Sequence, residues 1–234
     1  VLERQLGVGA EPSIHMEFGT LIHKVIDRVE TAASERGAIH GTLAEGLAVL
    51  DDEWKPGLFG GGAFDDAWRA RAEAALEHLY SLWPSSGTPI GSEIDLQFER
   101  DGTRWLGRAD RVEDRGGSVA IVDYKTGRPV GVAEAATSLQ LGFYLIAARE
   151  DPAIRAHGEP ARAEMWFPMH PLKSSITVRS FDASLVTDVE ERMSAVARGI
   201  DAEDWHPIPG AACERCAVRR ACPAMPEGKE AFAS

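Results

Sequence analysis

The sequence holds little cysteine, no long apolar run and too few cations to balance its acids, and each shortage removes a class of protein. Cysteine occurs three times in 234 residues, at Cys213, Cys216 and Cys222. An odd number crowded into ten positions is not a disulfide framework of the secreted kind, so a cytosolic (cytoplasmic) setting is expected. No stretch approaches the roughly 18 consecutive apolar residues of a membrane span, and no charged segment followed by an apolar one opens the chain. Neither a membrane association nor a secretory signal is therefore expected. Lysine and arginine number 25 against 37 acids, a net charge of −12. Such a chain is by itself a poor electrostatic trap for DNA or RNA. It fits a metal-using enzyme, or a module whose basic groove is supplied by a larger assembly. Internal repeats and low-complexity tracts are absent too. What is present is ordinary globular composition, 44% hydrophobic and 26% charged, enough for the packed core of one large domain or two small ones.

Apolar spacing divides the chain into helices and strands. From Phe18 to Val29 the apolar side chains fall at 18, 21, 22, 25, 26 and 29, which predicts a helix ended by Gly37. Further helices are expected over 42–54 and 64–83, separated by the glycine-rich stretch 55–62, which reads as the most flexible loop of the chain. After a break at 83–89 the period changes to two: Ile94, Leu96 and Phe98 alternate with Glu93, Asp95, Gln97 and Glu99. Asp101-Gly102 is a hairpin turn leading to a strand over 103–112, with another over 118–125. A helix over 133–149 follows, then strands over 161–168 and 174–181 around a proline-containing loop at 168–173. A last helix covers 183–200, with Asp182 as its N-cap. This order predicts an α/β or α+β sandwich around a mixed sheet flanked by helices.

The densest chemistry lies in Gly107-Arg108-Ala109-Asp110-Arg111-Val112 followed by Ile121-Val122-Asp123-Tyr124-Lys125-Thr126-Gly127. On a strand Asp123 and Lys125 leave the same face. Such a pair can be a plain salt bridge. It can also divide the labour of phosphodiester hydrolysis, with the carboxylate holding Mg²⁺ and the lysine stabilising charge or activating water. Asp110 sits on the neighbouring strand, within cross-strand reach, and two carboxylates there repel unless a cation bridges them. His23, one turn after Gly19, lies on the first helix, where a histidine is ordinarily a surface or core residue but beside carboxylates is a natural Mn²⁺ ligand. Gln140 and Tyr144 share a helix face, a polar edge that can hydrogen-bond phosphate oxygens near a metal.

Taken in order, Gly19-x-x-x-His23, a strand glutamate, Gly107-Arg108-x-Asp110-Arg111, Asp123-Tyr124-Lys125-Thr126-Gly127 and Gln140-x-x-x-Tyr144 resemble the RecB-type nuclease domain of the PD-(D/E)XK superfamily. The resemblance implies a restriction-endonuclease-like mixed sheet and a metal-dependent DNA nuclease. It implies His23, Asp110 and Asp123 as ligands of Mg²⁺ or Mn²⁺, the Tyr124 carbonyl completing the set, and Lys125 as the catalytic lysine. Glu93 falls where relatives carry a glutamate, with its role left open between the site and a solvated strand face. Cys213-x-x-Cys216, Cys222 and Pro223 resemble the C-terminal triplet of AddB-type iron–sulfur nucleases and of four-cysteine CRISPR-associated nucleases, implying a 4Fe–4S cluster. In those relatives the fourth cysteine precedes the histidine helix. Val1-Leu2-Glu3-Arg4 resembles the sequence just past it, so that ligand is expected ahead of Val1, with His206 as a substitute inside the chain; three plain thiols or a zinc knuckle are the other readings.

The expected role is that of a deoxyribonuclease, an exonuclease, in a helicase–nuclease that processes double-strand breaks in recombinational repair, with DNA and a helicase motor as partners. The expected organisation is a helical part over 1–88, a nuclease core over 89–206 and a cysteine module over 207–234. Two alternatives stand beside it: a catalytically inactive nuclease-like fold that binds DNA or serves as a clamp held by a metal pin, and a small zinc-binding interaction module on an unrelated α/β body.

Overall fold

The computed structural model describes residues 13–204, 206–210, 213–214 and 216–226. Helix α1 spans Ile14–Glu35, with the Ser13 side chain accepting from the Met16 amide at its start. Its buried stripe is the one the spacing predicts, Phe18, Leu21, Ile22, Val25, Ile26 and Val29. Gly37, with φ +74°, follows its end. Helix α2 (Leu43–Glu53) begins with a capping box between Thr42 and Glu45. Helix α3 (Ala63–Ser81) completes this layer.

The stretch between α2 and α3 is a loop, but composition overstates its freedom. The Asp65 carboxylate accepts the amides of Gly57, Phe59 and Gly61 at 2.5, 2.9 and 3.1 Å. Gly57, Gly60, Gly61 and Gly62 all take positive φ, which is what those residues are there for. Phe59 is buried, its ring 6.2 Å from Phe18 and 5.4 Å from Trp68.

Five strands form one sheet in the order β1-β2-β3-β4-β5. They are β1 (Thr88–Arg100), β2 (Thr103–Asp114), β3 (Gly117–Tyr124), β4 (Gly158–Pro171) and β5 (Ile176–Ser180). The first three are an antiparallel meander; β3 and β4 run parallel, and β5 returns antiparallel. Asp101 and Gly102, φ +51° and +73°, make the tight turn predicted for the first hairpin. The β3–β4 crossover carries α4 (Val132–Ala136), α5 (Leu139–Glu150) and α6 (Pro152–Arg155). The single helix expected over 133–149 is therefore broken, because Ser138 stops the first turn and caps the second helix through the Leu141 amide. Asp182 caps a short 3₁₀ turn, Ala183–Leu185, which then feeds α7 (Val186–Asp201). Pro168, expected in a loop, lies inside β4, where the ladder to β5 is irregular between Phe167 and Pro171.

Alternation along β3 assigns the two faces. Val119 and Ile121 enter the core under α5 and α7, while Val122 and Tyr124 enter the core under α1, α2 and α3. Each fully buried Leu or Ile in these layers contributes about 1.5–3 kcal/mol relative to exposure. Among the described residues no helix is long and apolar enough to cross a membrane.

Candidate metal centre

The site forms where β2 and β3 part company. Their ladder ends at the Arg111–Val122 pair, so the amide of Tyr124 has no ladder partner on β2. Asp110 takes it instead: its Oδ2 accepts the Tyr124 amide at 2.5 Å. The other oxygen, Oδ1, lies 3.2 Å from Nδ1 of His23, which arrives from α1. Helix α1 can come this close because Gly19 lacks a side chain; a Cβ there would stand 3.2 Å from Thr126 Oγ1.

Asp123, at the end of β3, is 3% exposed. Its Oδ1 accepts the Gln140 amide at 3.0 Å and faces the Tyr144 hydroxyl at 3.1 Å. The hydroxyl has one proton to share between Asp123 and the Arg108 carbonyl, 2.9 Å away, and accepts from Gln140 at 2.9 Å. Burial, reinforced by the Asp123 charge, pushes Tyr144 well above the usual tyrosine range, so it remains a donor. Gln140 and Tyr144 thus spend their hydrogen bonds on Asp123 rather than standing free for phosphate oxygens. Asp123 Oδ2 is buried with no hydrogen bond; the ammonium of Lys125 faces it at 2.7 Å, out of hydrogen-bond alignment.

Glu93 joins the group. Its carboxylate, Asp110 and His23 bring one ligand atom each within 4.8 Å of one another, the one such His/Cys/Asp/Glu group among the described residues. The turn at Asp101-Gly102 sets the hairpin register, with Arg100 opposite Thr103 and Ser92 opposite Arg111, so Glu93 falls opposite Asp110. Hydrophobic alternation alone leaves it on the solvent side. Its backbone has φ +50°, a left-handed conformation that costs a non-glycine residue roughly 1–3 kcal/mol and that collects at functional sites. Counting back from the turn is the signal in the sequence that brings it to the site.

The electrostatics are those of a site short of positive charge. Burial, seconded by Asp110 and opposed by Lys125, raises Asp123 above the ordinary carboxylate value. Burial and the charges of Asp110 and Asp27 raise Glu93. Burial disfavours the His23 imidazolium, but the hydrogen bond and charge of Asp110, helped by Asp123, outweigh it and leave His23 raised. All three groups hold their protons more tightly here than they do free in water. A divalent cation answers the same need. One imidazole and the three carboxylates of Glu93, Asp110 and Asp123 are a donor set suited to Mg²⁺ or Mn²⁺. The site opens to solvent through a cleft of about 530 Å³ bordered by Thr20, Lys24, Asp27 and Arg108.

Of the residues singled out in the sequence, His23 and Asp110 gather with Glu93, and Asp110 is tied through the Tyr124 amide to the end of β3, where Asp123 holds Lys125, Gln140 and Tyr144 around it. Cys213, Cys216 and Cys222 are partly exposed free thiols on the C-terminal segment and take no part. His206, the substitute ligand inside the chain, is exposed and bonded to Asp204. Val1-Leu2-Glu3-Arg4, next to which the fourth ligand is expected, lies outside the described residues.

Comparison with known proteins agrees with this architecture. The pattern of the PD-(D/E)XK nuclease superfamily matches residues 1–223. No curated protein matches the chain. A solved structure titled "Crystal structure of SSO0001" is similar at 16% identity, covering 95% of this chain and 92% of that one with a TM-score of 0.34, too slight a likeness to carry an argument. A match from residue 1 to 223 of 234, on a five-stranded mixed sheet flanked by helices, makes this chain a member of the PD-(D/E)XK nuclease superfamily.

Proposed function

We propose that the protein hydrolyses phosphodiester bonds of DNA at a divalent-cation centre. The observation that carries the reading is the group His23, Glu93 and Asp110, with one ligand atom each within 4.8 Å of one another, beside the Asp123–Lys125 pair at the end of the neighbouring strand. Mg²⁺ or Mn²⁺ would be held by His23, Asp110 and Asp123, with the Tyr124 carbonyl and Glu93 beside them. When bound it supplies Lewis-acid polarisation of the phosphate and a more acidic water. Lys125, a third exposed and paired with Asp123, would stabilise negative charge growing on the phosphoryl oxygens. Gln140 and Tyr144 hold Asp123, and the Tyr124 amide holds Asp110, so both carboxylates meet the substrate already oriented.

The finer role is an exonuclease module of a helicase–nuclease in double-strand break repair, with 89–206 as its nuclease core. An excess of 37 acids over 25 cations supports it, since a module fed by a motor needs no strong DNA-tracking surface of its own. The spacing of Cys213, Cys216 and Cys222 supports a 4Fe–4S cluster completed by a ligand ahead of Val1, which iron analysis of a longer chain tests separately.

The test is digestion of linear and circular DNA with Mg²⁺ or Mn²⁺. The expected result is loss of the linear form from its ends, arrest by EDTA, and a fall of roughly 10²–10³ in rate for Lys125→Ala. Undiminished cleavage by Lys125→Ala, or an inactive native protein that still binds DNA, overturns the reading, the latter in favour of an inactive DNA-binding fold.

A further inference from the structure

Helix α1 turns two polar residues toward β2 from one face, seven positions apart. His23 reaches Asp110; Glu30 reaches Arg111, the next residue on the strand. Arg111 is wholly buried, an expensive place for a guanidinium. Its Nη1 donates to Glu30 Oε2 at 2.6 Å, its Nε to Glu113 Oε1 at 2.8 Å and its Nη2 to the Ile39 carbonyl at 2.6 Å. The guanidinium also lies 5.0 Å from the centre of the Trp83 ring. Glu113 is held in turn by Ser85 and by Arg115, which grips both oxygens of Glu164 on β4. Arg111 is therefore fixed to the sheet, and Glu30, which also accepts the Gly41 amide at 3.0 Å, is fixed to Arg111.

Buried ion pairs are poor sources of stability, because apolar residues of similar volume serve as well or better. What this pair provides is direction. A slip of α1 by one residue means 1.5 Å of travel and about 100° of rotation, enough to take His23 off Asp110. The buried stripe through Ile22 and Ile26 resists so large a slip but tolerates smaller shifts about the axis; the directional bonds from Arg111 to Glu30 on α1 and to the Ile39 carbonyl just past its end do not. On the other side of His23, Gly19 lets α1 lie close to the end of β3, since a Cβ there would meet Thr126 Oγ1 at 3.2 Å.

We infer that the Glu30–Arg111 pair positions the metal centre: it sets the rotation and register of α1 on β2 and so holds His23 against Asp110. Glu30 and Arg111 are positioning residues that touch neither substrate nor cation. The inference rests on His23 and Asp110 being metal ligands, and its test separates the two claims.

The test is Mn²⁺ affinity, measured by titration calorimetry on the native protein, Glu30→Gln, His23→Ala and the double variant, each shown to be folded by circular dichroism. Glu30→Gln is expected to weaken Mn²⁺ roughly tenfold in the native background, the lower end of what loss of a ligand's support costs. In the His23→Ala background it should change affinity less than twofold, because the ligand it positions is gone. Equal weakening in both backgrounds means a general loosening of the fold and overturns the inference, as does no weakening in either. A native protein that binds no Mn²⁺, or a His23→Ala variant that binds as tightly as native, removes the metal-site reading itself and the inference with it. Should Glu30→Gln fail to fold, the paired exchange Glu30→Met with Arg111→Met removes both buried charges together and carries the same comparison: tenfold weakening that depends on His23 supports the inference, and native affinity refutes it.

Discussion

The Lys125 ammonium stands 2.7 Å from Asp123 Oδ2, while the opposite oxygen of the same carboxylate is engaged by Gln140 and Tyr144. One side of Asp123 is thus built into the fold and the other is kept for charge. Asp123→Asn keeps an acceptor for Tyr144 and Gln140 and removes a buried anion. It should leave stability within about 1 kcal/mol of native while abolishing cleavage. Asp123→Ala, by contrast, removes the charged acceptor that Gln140 and Tyr144 share and should cost about 1–3 kcal/mol. Denaturant melts of the two variants in EDTA check the difference; equal stabilities would mean that the Tyr144–Gln140 contacts contribute nothing.

Gly107 makes room for the ring that supports Tyr144. A Cβ at this position would stand 2.3 Å from Phe143 Cε1, and Phe143 is wedged between Phe98 and Tyr144. Gly107→Ala should destabilise by about 1–3 kcal/mol through overpacking. Phe143→Leu in the same chain should restore part of that loss. Additive losses in the double variant would show that the two positions do not compete for space.

The loop over 55–62 depends on one carboxylate. Asp65→Ala should lower the melting temperature and speed hydrogen exchange at Gly57, Phe59 and Gly61, whose amides it releases. The hydrogen bond from the Gly57 amide, followed by those of Phe59 and Gly61, holds Asp65 below its ordinary value of 3.8. Its contribution is therefore present above that pH and lost only as pH falls through the lower folded value. Unchanged exchange at the three amides would contradict the assignment.

The metal site has the opposite pH dependence. His23, Glu93 and Asp123 are all raised above their ordinary 6.5, 4.5 and 3.8, and buried Glu30 is raised with them. The folded, metal-free protein binds these protons more tightly than the unfolded chain. Stability is gained as pH falls through each folded value and is complete below the unfolded one. Carboxylates held low, such as Asp65 and Glu164, reverse the trend only below about 4.5. In EDTA the melting temperature should climb from pH 8 toward pH 5, while the extra stabilisation given by Mn²⁺ shrinks over the same range, since cation and protons compete. A rise on adding Mn²⁺ that does not vary with pH would contradict this.

The parts of this molecule legible in the sequence are those governed by local periodicity. The stripe from Phe18 to Val29 and the alternation of Ile94, Leu96 and Phe98 lead directly to α1 and β1, and Asp123 and Lys125 share a face because strand residues alternate. Meetings across long separations are harder to read. Glu30 and Arg111, 81 residues apart, look like two surface charges until the layers close over them. Glu93 looks solvated because alternation ignores its left-handed backbone. The glycine run over 55–62 suggests freedom because glycine content says nothing of an Asp65 positioned to bind its amides.

The most direct measurement of the central claim is an anomalous difference map from crystals soaked in Mn²⁺. The account predicts a peak bound by His23, Asp110 and Asp123 at about 2.0–2.4 Å, absent from Asp110→Asn crystals treated in the same way. A peak elsewhere in the molecule, or a fully soaked crystal with no density between these three side chains, would contradict it.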